Sequence, residues 1–325
     1  MRMVADRLRE TKGRSSGFDY LRIRLAVSVI CVHSTGVSYG LAASLVIWNG
    51  PQRMFDHMIL PMFFALSGFL VAGSLERCPT LVSFYGLRLL RIVPALAVEV
   101  ILSAIVFGPL LSSLSPGSYF SGAEFWRYFL NITGDIHYLL PGVFTHNPMP
   151  RTVNAQLWTV PFELQCYLAL GALSIVGILK DRRLLMAAVA VGQGLWAWEA
   201  VKRGDVGARN GATGPLLVLC FLTGVLLFLY RDKIILSLWL FVLSLILCVG
   251  MLLLPHGTFY VPLPATYATV YLGLLNPRRV GYLFSGAIRT GSISMVSRCS
   301  RRSPRSARGA GTGISTSWSA FRRLS

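Results

Sequence analysis

Acidic residues are scarce in this chain. It carries 13 Asp and Glu against 31 Lys and Arg, for a formal net charge of +18, and charged residues of both signs make up only 14% of its 325 positions. With 54% hydrophobic residues and a mean hydropathy of +0.60, that charge density excludes an ordinary soluble domain. Apolar–polar alternation is also missing. The apolar runs are continuous, about 18 residues or longer, which excludes lipid-facing barrel strands and predicts membrane helices. The six cysteines (31, 78, 166, 220, 248 and 299) have neither metal-ligand nor disulfide spacing, so no metal is expected. The excess of basic residues flanks apolar helices, the pattern of cytoplasmic loops, and this excludes nucleic acid as the implied partner.

The expected fold is an all-α polytopic transmembrane helix bundle, because only helices or closed barrels satisfy the backbone in hydrocarbon. Residues 1–18 are polar and basic and should stay in the cytoplasm. The following apolar run leads into further helices, so it is an uncleaved first span and not a removed signal peptide. Spans are expected near Leu21–Val46, Met54–Leu75, Ser83–Leu111, Gln156–Leu179, Leu184–Val201, Ala212–Tyr230, Ile234–Leu254 and Thr258–Leu275. That makes eight, or about 8–9, crossings. Residues 108–155 hold few charges and many Gly, Pro, Ser and Asn. Their aromatic middle, broken by Gly134, Asp135 and His137, reads as a re-entrant or interfacial segment with no net crossing.

Four stretches inside this frame carry chemistry. In FDYLRIRLAVSVICVHS (18–34), Arg22 and His33 are 11 residues apart. On a helix that spacing returns to within ~20° of one face and spans ~16 Å, so an interfacial Arg22 places His33 near mid-membrane. An ionisable residue at that depth is a functional candidate. PMFFALSGFL (61–70) holds Ala65, Ser67 and Gly68, small residues that suit close approach of a second helix. LRLLRIVP (87–94) puts Arg88 and Arg91 on one helix face. Pro94 is expected to kink that helix, and Glu99 lies deeper with no assigned role. QLWTVPFELQCY (156–167) carries Glu163, with Tyr167 one turn on.

The ordered set resembles the bacterial integral-membrane acyltransferase family 3, the O-acyltransferases of surface polysaccharides, peptidoglycan and lipo-oligosaccharides. The resemblance covers roughly residues 18–170. FDYLRIRLAVSVICVH stands where the family has LDxLRGxA…H, FFALSGF for FFxLSGF, LRLLRIVP for RRxxRIxP, and LWTVPFELQCY for LWxLxxExxFY. Ile23 replaces a frequent Gly and Leu87 the first arginine of the third pattern. The resemblance implies residues 19–286 as an acyltransferase domain in the bacterial inner membrane. The implied donor is acyl-CoA (acetyl-CoA foremost) supplied from the cytoplasm. The implied acceptor is a carbohydrate or lipid-linked glycan on the outer side, as in polysaccharide O-acetylation. His33 is the candidate base, or a covalent acyl carrier. Glu163 is the candidate carboxylate to orient it, or a ligand of the acceptor. Arg22, Arg88 and Arg91 are candidates for the donor's phosphates, which suit guanidinium forks; Arg22 has the alternative of pairing with Asp19.

A transporter or glycan flippase also places ionisable residues at mid-membrane, but no internal repeat is visible. From Ala287 the composition shifts to a tail with eight arginines and no acidic residue. It reads as a disordered basic segment or as a reading-frame error. The code permits AIRTGSISMVSRCS to be written so that the neighbouring frame reads DTYGLYLYGFPLQ, a return to membrane-helix composition that resequencing the coding DNA would test. A chain shortened in this way has the further reading of an inactive acyltransferase.

Overall fold

A computed structural model describes residues 2–50, 53–202, 212–254 and 257–278. The 287–325 tail and most of the basic 202–209 loop lie outside these residues. The described residues are predominantly helical, with two isolated bridges (Met3–Ile235 and Ser112–Val143) and no strand.

After a short helix α1 (Val4–Glu10), the long elements are α2 (Ser16–Asn49), α3 (Arg53–Arg77) and α4 (Leu81–Ile101). A π-helical turn (Leu102–Phe107) and α5 (Gly108–Leu111) extend α4. The long loop holds only α6 (Pro116–Ser121), α7 (Ala123–Tyr128) and two 3-10 turns, Phe129–Thr133 and Ala155–Thr159. Then come α8 (Val160–Ile175), α9 (Arg182–Lys202), α10 (Gly214–Leu229), α11 (Leu238–Leu253) and α12 (Pro262–Gly273). Four stretches among the described residues are long and apolar enough to cross a membrane: 16–40, 53–77, 81–111 and 182–202. Helices α10 and α11 are shorter and apolar. The loop between α5 and α8 supplies no spanning helix, as its broken sequence predicts.

Local chemistry explains the boundaries. The Thr80 hydroxyl accepts from the Ser83 amide at 3.1 Å and starts α4. Helix α2 breaks at Gly40, whose φ of 85° is open to glycine without strain; a Cβ there would also meet Pro148 of the long loop at 3.2 Å. Helix α4 continues through Pro94 and changes only at the π turn, eight residues later.

Packing centres on α3 against α10. A Cβ on Gly68 would lie 2.0 Å from the Phe221 carbonyl oxygen, and one on Gly224 would lie 2.3 Å from that of Ala65. Each glycine lets the other helix's backbone in, the close approach that the small residues of FFALSGF predict. Phe69 packs edge-on to Phe228 at 5.4 Å beside this seam. A second seam joins α2 to α12, where Gly17 lies under the Gly273 carbonyl and Gly273 under the Phe18 ring. Outward sides of α4, α9 and α11 expose Val98, Ile105, Leu195, Trp198, Trp239 and Ile246. Such faces would favour aggregation in water and are what lipid requires.

The N-terminal arm closes one end of the bundle. The amide of Val4 donates to the Ile234 carbonyl at 3.0 Å and that of Leu236 to Arg2 at 2.8 Å. Arg7 Nε donates to the Leu274 carbonyl at 3.1 Å, and Arg231 pairs with Glu76 at 2.9 Å. The starts of α2, α4 and α11 and the ends of α3, α10 and α12 therefore share one basic end. The long loop lies at the opposite end.

A Gly68→Val substitution drives a branched side chain into the α10 backbone, and overpacking of this kind costs about 1–3 kcal/mol. The expected outcome is a lower melting temperature in detergent, followed by size-exclusion fluorescence. Gly86 has open space around it, so Gly86→Ala should leave the melting temperature unchanged.

Candidate functional site

Two groups of side chains lie along α2 and α4, one near the basic end and one at the loop end. Near the basic end, Arg22 of α2 has Arg91, Asp19, Arg88 and Tyr167 as electrostatic neighbours. Arg88 NH2 donates to Ser74 Oγ at 2.6 Å, and its guanidinium carbon lies 5.7 Å from the Phe84 ring centroid and 6.0 Å from that of Tyr167. Its Nε is buried with no hydrogen-bond partner among the described residues. The Tyr167 hydroxyl donates to the Glu163 carboxylate and also meets Ser67. Arg22, Ser67, Arg88 and the Glu163–Tyr167 pair each come from a different one of the four sequence stretches. The fold brings all four stretches together.

At the loop end, His33 lines a cleft of about 480 Å³. Helix α2 supplies Val29, His33 and Ser34, the π turn supplies Ser103 and Phe107, and the loop supplies Phe144 and Thr152–Gln156. The π turn widens the helix where Ser103 must face inward, a common device at functional sites. The loop is held by its own polar staples. Asn131, fully buried, donates to the carbonyls of Tyr128 at 2.6 Å and His137 at 2.8 Å. Arg151 pairs with Glu124 at 2.6 Å, and the Tyr119 hydroxyl donates to the Ala104 carbonyl at 2.8 Å. Gly108 makes room for that hydroxyl, which a Cβ would meet at 1.9 Å.

A chain of hydrogen bonds backs the cleft. Gln156 Nε2 donates to Glu99 Oε1 at 2.8 Å and to Asn154 Oδ1 at 3.4 Å. Asn154 Nδ2 donates to Ser103 Oγ at 2.8 Å and to the Tyr128 hydroxyl at 3.0 Å. Asn154 sits in the left-handed region, φ 55°, which asparagine tolerates better than most residues. Phe144, with φ 53°, does not share that tolerance, and strained backbone of this kind clusters at ligand sites. Burial pushes the Tyr128 hydroxyl above its ordinary pKa, against the pull of Ser103 and Asn154, so it keeps its proton at neutral pH.

The two groups stand at a consistent separation. Helices α2 and α4 both run away from the basic end. From Arg22 to His33 is 11 residues and from Arg91 to Ser103 is 12, rises of ~16 and ~18 Å. One site therefore has a cationic end and, that far along, a polar cleft with an imidazole.

The structure pairs Glu163 within its own helix. Its partner is Tyr167, one turn along its own helix and within easier reach than α2. Among the described residues no carboxylate hydrogen-bonds His33. Sequence reasoning missed Asn154, Gln156, Tyr128 and Ser103 altogether, and it left Glu99 without a role. The only signal was an acidic residue deep in an apolar helix, which needs a polar partner.

These features define a helical membrane protein with a buried cationic site and an imidazole-lined cleft. The acyltransferase family 3 model, described as an acyltransferase domain, matches residues 15–303, and the chain belongs to that family. It is 27% identical over 162 residues to an O-acetyl transferase of Shigella phage Sf6, across 49% of this chain and 45% of that relative. The chain thus aligns with less than half of the relative's length. No solved structure matches it.

The Asn154→Leu change leaves Ser103, Tyr128 and Gln156 short of a partner, at about 1–3 kcal/mol for the buried groups exposed to that loss. A clear drop in detergent melting temperature is expected. Arg151→Ala, which breaks an exposed pair, should cost under about 1 kcal/mol in the same assay.

Proposed function

We propose that this protein is an O-acyltransferase of the bacterial inner membrane. It transfers an acyl group, acetyl foremost, from cytoplasmic acyl-CoA to a hydroxyl of a carbohydrate or lipid-linked glycan on the outer side. The observation that carries this reading is the convergence of Arg22, Arg88 and Arg91 about 16 Å from the His33 cleft. Three arginines gathered with so few carboxylates attract a polyanion, and a nucleotide phosphate group supplies one. An extended pantetheine arm bridges a gap of that size and delivers the thioester to His33. The family membership and the O-acetyl transferase relative support the acyl chemistry. The basic end supports a cytoplasmic N-terminus.

In this mechanism neutral His33 accepts the proton of the acceptor hydroxyl as its oxygen attacks the thioester carbon. The tetrahedral intermediate collapses, the carbon–sulfur bond breaks, and the thiolate recovers the proton from the imidazolium. The half-buried imidazole is free of internal partners among the described residues, so its ring nitrogens are available to the substrate. Glu163 and Tyr167 act on the donor side: with Ser74 and Phe84 they fix Arg88, and Glu163 offsets part of the positive charge while the site is empty.

Membranes carrying the full chain should release free CoA from acetyl-CoA, and His33→Ala should abolish that release. Arg88→Gln should raise the KM for acetyl-CoA about tenfold or more, the worth of one charge-assisted hydrogen bond. Equal CoA release by the parent and His33→Ala chains would defeat this reading and favour transport.

A further inference from the structure

We propose that Ser103 is a catalytic oxyanion donor, its hydroxyl hydrogen aimed into the cleft at the acyl oxygen. This inference rests on the acyltransferase reading and assigns a residue to the step that reading leaves uncovered, the negative charge on the tetrahedral intermediate.

The assignment follows from counting hydrogens. The Glu99 carboxylate only accepts, so the amide group it faces on Gln156 is the NH2 end. That NH2 also meets Asn154 Oδ1, which turns the NH2 of Asn154 toward Ser103 and Tyr128. Each hydroxyl oxygen therefore accepts from Asn154. Among the described hydrogen bonds neither hydroxyl donates, so both hydrogens are uncommitted.

Burial separates the two. Tyr128 is fully buried and does not line the cleft, whereas Ser103 does. The Ser103 oxygen already accepts from Asn154 and its hydroxyl has no acceptor among the described hydrogen bonds, so its hydrogen is the one that the open space of the cleft can receive. The carboxylate thus sets the direction of each bond in the chain, from Glu99 through Gln156 and Asn154 to Ser103. The π turn and the left-handed Asn154 are the backbone departures that bring the chain together.

The step balances. The acceptor oxygen bonds the acyl carbon and its proton passes to His33. The carbonyl π pair moves onto the acyl oxygen, which receives a hydrogen bond from Ser103. On collapse the carbonyl reforms and the thiol leaves with the proton from His33. Ser103 donates a hydrogen bond throughout and forms no covalent bond. A fixed donor aimed at developing charge is among the larger contributions an active site makes.

Acetyl-CoA is the probe, because its hydrolysis passes through the same tetrahedral carbon with water as the attacking hydroxyl. Ser103→Ala in the full chain should lower kcat for CoA release about 10²-fold, with the KM for acetyl-CoA unchanged and the size-exclusion profile intact. Ser103→Thr, which keeps the hydroxyl, should recover kcat to within about tenfold of the parent. Parent-like kcat in Ser103→Ala overturns the assignment, and so does a Thr variant as slow as the Ala variant. Failure of the parent chain to exceed His33→Ala overturns the acyltransferase reading and this inference with it.

Discussion

The close approach of α3 and α10 is the constraint on which the site depends. Gly68 and Gly224 let two backbones meet where any side chain would collide with a carbonyl. Lipid offers no hydrophobic drive for helices to associate, since lipid tails already solvate apolar side chains, so such a contact rests on close packing. It fixes α3, and α3 carries Ser67 and Ser74. Those two hydroxyls touch Tyr167 of α8 and Arg88 of α4. A shift of this seam would move the anchors of two of the three arginine-bearing or acid-bearing stretches at once.

Charge gives the bundle its second organising feature. Arg22, Arg88 and Arg91 are neighbours inside the helix frame, and their mutual repulsion is only partly offset by Asp19, Glu163 and aromatic faces. A helix bundle with stability as its sole requirement would not assemble such a group. The buried Nε of Arg88 sharpens the point, because a charged group deprived of a hydrogen bond in the interior is costly. The energetic deficit is one that a bound polyanion would remove.

The fold was largely legible in the sequence because its signals are local. Each apolar run appears as a helix within a few residues of its expected limits, and LRLLRIVP lies near the start of α4 as its arginines suggest. FFALSGF announces a close helix contact through residue size alone. His33 and the three arginines were visible for the same reason: a charge in an apolar helix stands out. The back of the cleft was not visible. Gln156 bonds Glu99 across 57 residues, and Asn154 bonds Ser103 across 51. Neither pairing has a period; asparagine and glutamine in a polar loop look like solvent-facing residues, and Ser103 is an uncharged residue inside an apolar helix run. Glu163 pairs with the tyrosine at i+4, a partner the sequence placed one turn along the same helix.

The two kinds of residue divide the labour of the site in a way that depth explains. Near the basic end, the arginines present planar, pre-organised forks on long stems, a geometry that suits a polyanion on the acyl-CoA reading. At the cleft, the reacting atoms demand tighter placement, and there the chain uses short side chains held by several bonds each. Serine and asparagine lose less conformational freedom when fixed than arginine does, and a neutral network avoids burying further charge beside His33. Glu99 is the exception, and it is set behind Gln156 and not in the lining of the cleft. Its charge orders the amides without facing the imidazole directly, so His33 lines a polar but largely uncharged cleft. On the proposed acyltransferase reading, that setting suits proton acceptance by the imidazole and leaves the negative charge of the transition state to hydrogen-bond donors.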